Sequence, residues 1–211
     1  MRIISGAARG RKLKEPVGLD IRPTSDLVKE SVFNIIQFDI EGRRVLDLFA
    51  GTGQLGIEAL SRGAKSAVFV DIKPEAVKLV WENLKISGMM GFAEVYTRDA
   101  LRYLGGDNPG IRSSGVEDQQ NGNTEGILSP HSWNKEKFDL IILDPPYKTP
   151  LAEKALAKII EFDKLNPNGI IICEMKADNA TPIVTQPYFL YKEYKYGGVK
   201  IARYERTASL L

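Results

Sequence analysis

The residues Asp144 to Tyr147, DPPY, combine a carboxylate, two prolines and an aromatic ring after an apolar run. Two prolines remove two backbone donors and restrict the preceding residues, so a rigid turn with outward carbonyls is expected. The exocyclic amine of a nucleobase is a poor nucleophile because its lone pair is delocalised. If Asp144 and the Pro145 carbonyl accept its two N–H bonds and Tyr147 stacks on the base, the nitrogen can attack a methyl group. We therefore predict a catalytic turn of Asp144, Pro145, Pro146 and Tyr147, with a purely structural turn as the alternative.

A second segment, DLFAGTGQLG from Asp47 to Gly56, contains Gly51, Gly53 and Gly56 in the spacing G-x-G-x-x-G. The segment lies between a predicted strand and a predicted helix, and this context is typical of a nucleotide-binding turn. The glycines would allow the backbone to approach the ligand closely.

Three carboxylates at predicted strand ends bear on which nucleotide this is. Asp71 follows Gly51 by 20 residues and can accept both ribose hydroxyls, or it can cap the next helix. Asp99 is equally expected to reach an adenine amino group or to cap a helix. Asp47, near the end of the first strand, would repel the pyrophosphate of NAD but would attract the sulfonium and ammonium groups of S-adenosylmethionine. The methyl donor is therefore favoured, unless the side chain of Asp47 points away from the ligand.

The elements that must position these residues alternate along the chain. Apolar runs at 44–49, 66–71, 93–97, 138–144 and 169–175 predict strands, and 55–63, 74–87 and 151–162 predict helices. Several runs are apolar on both faces, which indicates a doubly wound α/β fold with a parallel sheet. Gly197-Gly198 predicts an antiparallel edge hairpin. Residues 2–16 are interpreted as a short basic hairpin, and 24–38 as a helix capped by Thr24, Ser25 or Asp26.

The composition is that of a soluble globular chain, with 211 residues, 43% hydrophobic and 27% charged. We expect a methyltransferase-type domain at 41–206 preceded by a hairpin and helix extension at 1–40. The single cysteine, Cys173, excludes an intramolecular disulfide and is expected to be a buried structural thiol. No signal peptide or membrane span is apparent, so we place the protein in the cytoplasm.

Charge is distributed unevenly although the net charge is only +2. Residues 1–22 carry six basic against two acidic residues, and residues 192–206 carry five against two. Together they would form an electrostatic footprint for RNA phosphates, whereas an ordinary solvated surface explains either one alone. The predicted RNA-binding residues are Arg2, Arg9, Arg11, Lys12 and Arg22.

Residues 105–134 differ from the rest, with six glycines, two prolines and one basic against four acidic residues. We expect a mobile insertion, because a structureless connection of this length is uncommon inside a compact domain. Its acidity makes it a poor RNA contact. The only histidine, His131, lies in it and receives no catalytic role.

The motifs LDLFAGTGQLGIEALSRGA and DPPY resemble those of class I S-adenosylmethionine-dependent amino-methyltransferases. The segments MRIISGAARGRKL, RPTSDLVKESVFNII and GGVKIARYER are similar to the RsmD family, so the resemblance spans nearly the whole chain. That family methylates the exocyclic N2 of a guanine in small-subunit (16S) ribosomal RNA. The resemblance implies a seven-stranded sheet with an antiparallel last strand, no metal, S-adenosylhomocysteine as product, and a monomer acting on a small-subunit assembly intermediate.

The resemblance also implies roles for individual residues. It assigns Asp47, Gly51 and Gly53 to the methionine end of the donor, Asp71 to its ribose and Asp99 to its adenine. Arg22, Pro23 and Thr24 correspond to a motif that closes over donor and target, although from the residues alone Thr24 fits a helix cap and Arg22 a surface charge. The remaining positions assigned to the donor site are Phe49, Ile72 and Ala100. The acidic insertion is longer than is usual in the family between the third and fourth strands.

Three other functions are each compatible with only part of the sequence. An adenine-N6 methyltransferase acting on DNA or RNA would use the same turn, but no separate target-recognition domain is visible before residue 44. An NAD-dependent dehydrogenase would need a catalytic acid or base such as histidine, and the only histidine, His131, lies in the acidic insertion. A non-enzymatic RNA-binding module would not need the DPPY turn.

Overall fold

The computed structural model describes residues 1–16, 25–106, 136–147 and 149–208. The strands are β1 (Arg44–Asp47), β2 (Ser66–Asp71), β3 (Ala93–Thr97), β4 (Phe138–Leu143), β5 (Leu165–Lys176), β6 (Tyr188–Tyr196) and β7 (Val199–Arg206). The helices are α1 (Asp26–Ile35), α2 (Gln54–Ser61), α3 (Pro74–Ser87), α4 (Ala100–Gly105) and α5 (Leu151–Glu161). A short 3₁₀ turn covers Met90–Phe92.

The strands form one seven-stranded sheet in the order β3-β2-β1-β4-β5-β7-β6. Strands β1 to β5 are mutually parallel, and β7 runs antiparallel to both β5 and β6. The turn between β6 and β7 passes through Gly197, whose φ of 57° favours glycine. The predicted α/β sheet with an antiparallel last strand is therefore confirmed.

Two layers of helices bury the two faces of the sheet. Val32 of α1, Ile57 of α2 and Val80 of α3 pack in one apolar cluster on the first face. Leu104 of α4 and Ile159 of α5 belong to the cluster on the second face. Because both faces are covered, the central strands are apolar on both sides, as their sequences indicated.

The predicted N-terminal hairpin is present as a single antiparallel bridge between Arg2 and Lys12. Three backbone hydrogen bonds of 2.9–3.2 Å also join its two arms, and the N–H groups near its tip bind α2. The N–H groups of Ile4 and Ser5 donate to the Glu58 carboxylate at 2.8 and 3.0 Å, and the N–H of Ala7 donates to the Ser61 carbonyl at 2.7 Å. The segment is therefore a short hairpin whose tip is anchored to α2.

The first helix begins as the sequence indicated. Ser25 is its cap and accepts a hydrogen bond from the N–H of Val28 at 3.3 Å. Arg22, Pro23 and Thr24 lie outside the described residues, as do 107–135 with His131, so the predictions for them stay predictions. Cys173 is buried and unbridged, as expected, and burial raises the pKa of its thiol to about 12. Within the described ranges, no helix is long and apolar enough to span a membrane.

Candidate active site

Five carboxylates lie along the carboxyl edge of the sheet, one for each of five neighbouring strands. In spatial order they are Asp99 after β3, Asp71 of β2, Asp47 of β1, Asp144 after β4 and Glu174 of β5. All five line one cavity of about 490 Å³. This edge is the usual ligand crevice of a doubly wound sheet.

Glycine is required at each position of the G-x-G-x-x-G turn for a different structural reason. Gly51 lines the cavity with φ of 52°, and its N–H donates to Oδ2 of Asp71 at 2.8 Å. Gly53 begins α2 with φ of 75° and does not line the cavity, although it was predicted to bind the donor. A Cβ on Gly56 would lie 2.3 Å from the ring of Phe69, so this glycine permits α2 to pack closely on β2. Only the first glycine is therefore positioned to approach a ligand.

Asp47 is the most deeply buried acid of the cavity, with 1% of the residue exposed. Its Oδ2 accepts the N–H of Gly56 at 2.9 Å. The pKa of Asp47 is raised to about 7, mainly by burial and also by the negative charges of Asp144 and Asp71, against the opposing effect of the Gly56 N–H. The ionised form is thus costly in the absence of a positive partner.

Asp99 caps the helix that follows it, which was its structural alternative, whereas Asp71 binds two backbone N–H groups and does not cap α3. Oδ1 of Asp71 accepts the N–H of Lys73 at 2.9 Å. Oδ1 of Asp99 accepts the N–H of Arg102 at 3.0 Å and caps α4. A carboxylate has about four acceptor sites, so capping and contact with a ligand are compatible. Both residues line the cavity, and Lys73 lines it as well.

The DPPY turn follows β4 directly and faces the same cavity. Pro145 is buried and Tyr147 is half-buried. The carbonyl of Pro146 accepts the Oγ1 hydroxyl of Thr149 at 2.8 Å, which closes the turn. The Tyr147 hydroxyl donates to Oε1 of Glu174, which ties the aromatic ring to β5.

Glu174 is the one carboxylate of the cavity lining that the sequence did not predict. It lies in the apolar run GIIICEM and is only 4% exposed. A single acid within a strand that is otherwise apolar was the signal available in the sequence. Leu143 pairs with Cys173, so Asp144 and Glu174 each follow one residue later on adjacent strands.

The cavity collects most of the predicted site residues. The members that line it are Asp47, Phe49, Gly51, Asp71, Ile72, Asp99, Ala100, Asp144, Pro145, Pro146 and Tyr147. Further lining residues that were not predicted include Ser25, Val28, Gln54, Lys73, Arg98, Glu174 and Val199. Within the part of the chain that the structure describes, no cluster of three or more histidine, cysteine or acidic side chains has the geometry to hold a metal ion.

The predicted RNA-binding residues of the N-terminal segment lie outside the cavity. Arg2, Arg9, Arg11 and Lys12 are all exposed. A buried side chain connects this segment to the cavity wall, because Oδ1 of Asn83 accepts the N–H of Lys14 at 2.7 Å and its Nδ2 donates to the Thr52 carbonyl at 2.9 Å. Asn83 of α3 therefore holds both the basic N-terminal segment and the glycine turn.

The basic residues near the C-terminal hairpin are partly used within the protein. Lys200 is buried and its Nζ donates to the Asn179 carbonyl at 2.6 Å. Arg203 pairs with Asp39 at 3.1 Å and with Glu205 at 2.7 Å. These two cations are therefore less available to an external phosphate than their position in the sequence suggested.

Comparison with known proteins identifies relatives over the whole chain. The family model described as conserved hypothetical protein 95 matches residues 1–111 and 110–205. YlbH of Bacillus subtilis is 36% identical over 98% of this chain and 99% of its own length. Ribosomal RNA small subunit methyltransferase D of Haemophilus influenzae is 34% identical over 97% of this chain and 93% of the relative. The solved structure of yhhF from Escherichia coli is similar over 99% of both chains, with a TM-score of 0.77 and 28% identity.

Proposed function

Because the chain belongs to the RsmD family of ribosomal RNA methyltransferases, we propose that it transfers a methyl group from S-adenosylmethionine to the exocyclic N2 of a guanine in 16S RNA. The fold is that of the α/β class I methyltransferases. The observation that supports donor and target together is the placement of Asp47 and Asp144 at the ends of neighbouring strands in one cavity. Asp47 would hold the positively charged methionine end of the donor, and Asp144 would hold the target amine.

The charges of the cavity suit S-adenosylmethionine, which supplies an electrophilic methyl group on a positively charged sulfur. Asp47 is buried and its pKa is raised to about 7, and its carboxylate would hold the positive methionine end of the donor. Asp71 would accept the ribose hydroxyls, and Ile72, with 61% exposure beside it, offers apolar surface to the adenine. Asp99 lies at the adenine end of the same row. Phe49 and Ala100 complete the walls of this donor site.

The same charges disfavour NAD. A pyrophosphate that spans the cavity would lie near Asp47, where two like charges repel in a poorly solvated site. Lys73 and Arg98 also line the cavity, but in the chain they adjoin Asp71 and Asp99, toward the β2 and β3 end. Their positive charges therefore offset the negative charges of Asp71 and Asp99, and Asp47 carries the negative charge at the centre of the cavity.

The DPPY turn would activate the target amine. Asp144 and the Pro145 carbonyl would accept the two N–H bonds of guanine N2 and direct its lone pair at the methyl group. The new N–C bond forms as the C–S bond breaks, and the electron pair of that bond stays on sulfur. One N2 proton passes to the Asp144 carboxylate. The ring of Tyr147 would stack on the base, a contact worth about 1–3 kcal/mol.

The substrate of this reaction would be a partly assembled small subunit, on which the protein acts as a monomer in the cytoplasm. The exposed cations Arg2, Arg9, Arg11 and Lys12 would contact RNA phosphates. Phosphate contacts of this kind weaken as salt rises, because binding releases counterions. Asn83 would keep this contact surface in a fixed position relative to the donor site.

Thermal unfolding tests the donor. S-adenosylmethionine at about 100 times its Kd is expected to raise the melting temperature by about 5–10 °C, because a ligand of the folded state stabilises it by about 2.7 kcal/mol. NAD at the same concentration is expected to leave the melting temperature unchanged, because its pyrophosphate meets Asp47.

Transfer of a labelled methyl group provides the matching measurement of activity. Small-subunit particles from a strain without the enzyme should accept label, and large-subunit particles serve as the control. Stabilisation by NAD alone, or equal labelling of both subunits, would contradict the proposed function.

A further inference from the structure

Glu174 is the last of the five carboxylates along the carboxyl edge of the sheet, on the side where Asp144 would hold the target amine. Its neighbour along the edge is Asp144, because β5 pairs with β4 and both residues follow the Leu143 and Cys173 pair. Asp47, Asp71 and Asp99 lie on the opposite side of Asp144, at the donor end. A base whose amine is held by Asp144 therefore has Glu174 beside it.

Glu174 is a buried carboxylate that lines the cavity and is fixed in position. Only 4% of the residue is exposed, and Oε1 accepts the hydroxyl of Tyr147. A carboxylate accepts hydrogen bonds at about four sites, so the bond from Tyr147 is compatible with a second donor from a substrate. An acid at this depth disfavours any ligand that presents an acceptor to it.

The neighbours of the three exocyclic amines in RNA differ in a way that such an acid detects. Guanine N2 is flanked on one side by the ring N1–H, which is a donor, and on the other by the acceptor N3. Adenine N6 is flanked by the ring acceptors N1 and N7. Cytosine N4 is flanked by the acceptor N3. Only guanine therefore offers a ring N–H next to the amine that is methylated.

On the premise that the proposed function holds, we infer that Glu174 is the residue that selects guanine, by accepting the N1–H of the target base while Asp144 and Pro145 hold its N2. The same carboxylate orients Tyr147 for stacking. Adenine and cytosine are rejected because each would direct a lone pair at the carboxylate.

The test replaces the N1–H of the substrate and the carboxylate of the enzyme separately. Small-subunit particles are reconstituted with RNA that carries either guanosine or 2-aminopurine at the mapped target. The second base keeps the exocyclic amine but has an acceptor at N1. We expect the wild-type enzyme to methylate guanosine at least about 10²-fold faster, because a site built for a hydrogen bond rejects an analogue that lacks it.

The variant Glu174→Gln is expected to abolish this preference. Its amide oxygen still accepts the Tyr147 hydroxyl, and its NH₂ group donates to N1 of 2-aminopurine but opposes the N1–H of guanine. The ratio of the two rates should fall by about 10²-fold or more. A ratio equal to that of the wild type would overturn the inference.

Tyr147→Phe is the control for a role limited to holding the tyrosine. It removes the hydroxyl that binds Glu174 but keeps the ring, so both rates should fall together and their ratio should stay near that of the wild type. If Glu174→Gln fails to fold, the wild-type enzyme alone decides, because equal rates on guanosine and 2-aminopurine overturn the inference. A wild-type enzyme that makes no N2-methylguanosine would instead refute the proposed function.

Discussion

Replacement of Asp144 by alanine is expected to reduce the rate of methyl transfer by about 10³-fold or more, with little change in the affinity for S-adenosylmethionine. The carboxylate accepts an N–H bond of the target amine and takes its proton, so its loss leaves the lone pair delocalised into the base. Asp144 lies after β4 on the target side of Asp47, whereas the N–H groups of Gly51 and Gly56 donate to Asp71 and Asp47. Single-turnover kinetics measures the rate, and the donor-induced shift in melting temperature measures the affinity.

Two further variants sharpen this comparison. Asp144→Asn keeps one carbonyl acceptor in place and is expected to lose activity by about 10- to 10²-fold, between wild type and alanine. Glu161→Ala removes an exposed acid at the end of α5, away from the cavity, and should leave both measurements unchanged. A wild-type rate in Asp144→Ala would refute the assigned role of the turn. A loss of donor binding equal to the loss of rate would make Asp144 a donor-binding residue.

The variant Asp47→Asn is expected to weaken donor binding by about 10²-fold and to stabilise the protein without donor at neutral and higher pH. The amide oxygen can still accept the N–H of Gly56, so the local backbone bond is retained. What disappears is a buried negative charge that only a cation compensates. Isothermal titration measures the first effect, and chemical denaturation without ligand measures the second.

The direction of the stability effect follows from the raised pKa of Asp47. Its ordinary value of 3.8 applies to the unfolded chain, and burial raises the pKa to about 7 in the folded protein. Between these values the folded state binds more protons than the unfolded state, so the free energy of unfolding falls as pH rises from about 4 to 7. The asparagine variant lacks this titration. Its advantage over wild type should therefore grow through this window, level off above pH 7, and reach on the order of a few kcal/mol.

Donor affinity should show the opposite pH trend in the wild-type protein. The positive methionine end requires ionised Asp47, so the Kd should rise by up to about tenfold for each pH unit below 7. S-adenosylhomocysteine, whose sulfur is neutral, should show a weaker dependence. A wild-type Kd that is constant from pH 5.5 to 7.5, or an unchanged Kd in Asp47→Asn, would contradict the assignment of Asp47.

The positions of the central strands and the acids at their ends were predictable because both depend on local pattern. Apolar runs such as 138–144 indicate buried parallel strands, and parallel strands bring their carboxyl ends to one edge. Asp47 was assigned from its charge, its position and the family resemblance. Its pKa near 7 arises from burial and from two neighbouring acids, which only the folded structure supplies.

The residues that sequence reasoning missed depend on contacts between distant segments. Glu174 acquires its place from the register of β5 against β4 and from the hydroxyl of Tyr147, 27 residues away. The tip of the N-terminal hairpin is fixed because its donors bind Glu58 and Ser61, more than 50 residues later. Local pattern predicted the hairpin, but its attachment to α2 depends on these tertiary hydrogen bonds.

The central claim, that Asp144 and the adjoining donor site methylate the N2 of a guanine, is tested most directly by identifying the methylated atom. Small subunits from a strain lacking the enzyme are incubated with the protein and S-adenosylmethionine that carries a labelled methyl group, and the RNA is digested for mass spectrometry of its nucleosides. The account predicts one labelled product, N2-methylguanosine, at a single position of 16S RNA, absent with Asp144→Ala. Label in N6-methyladenosine, or in no nucleoside at all, would contradict it.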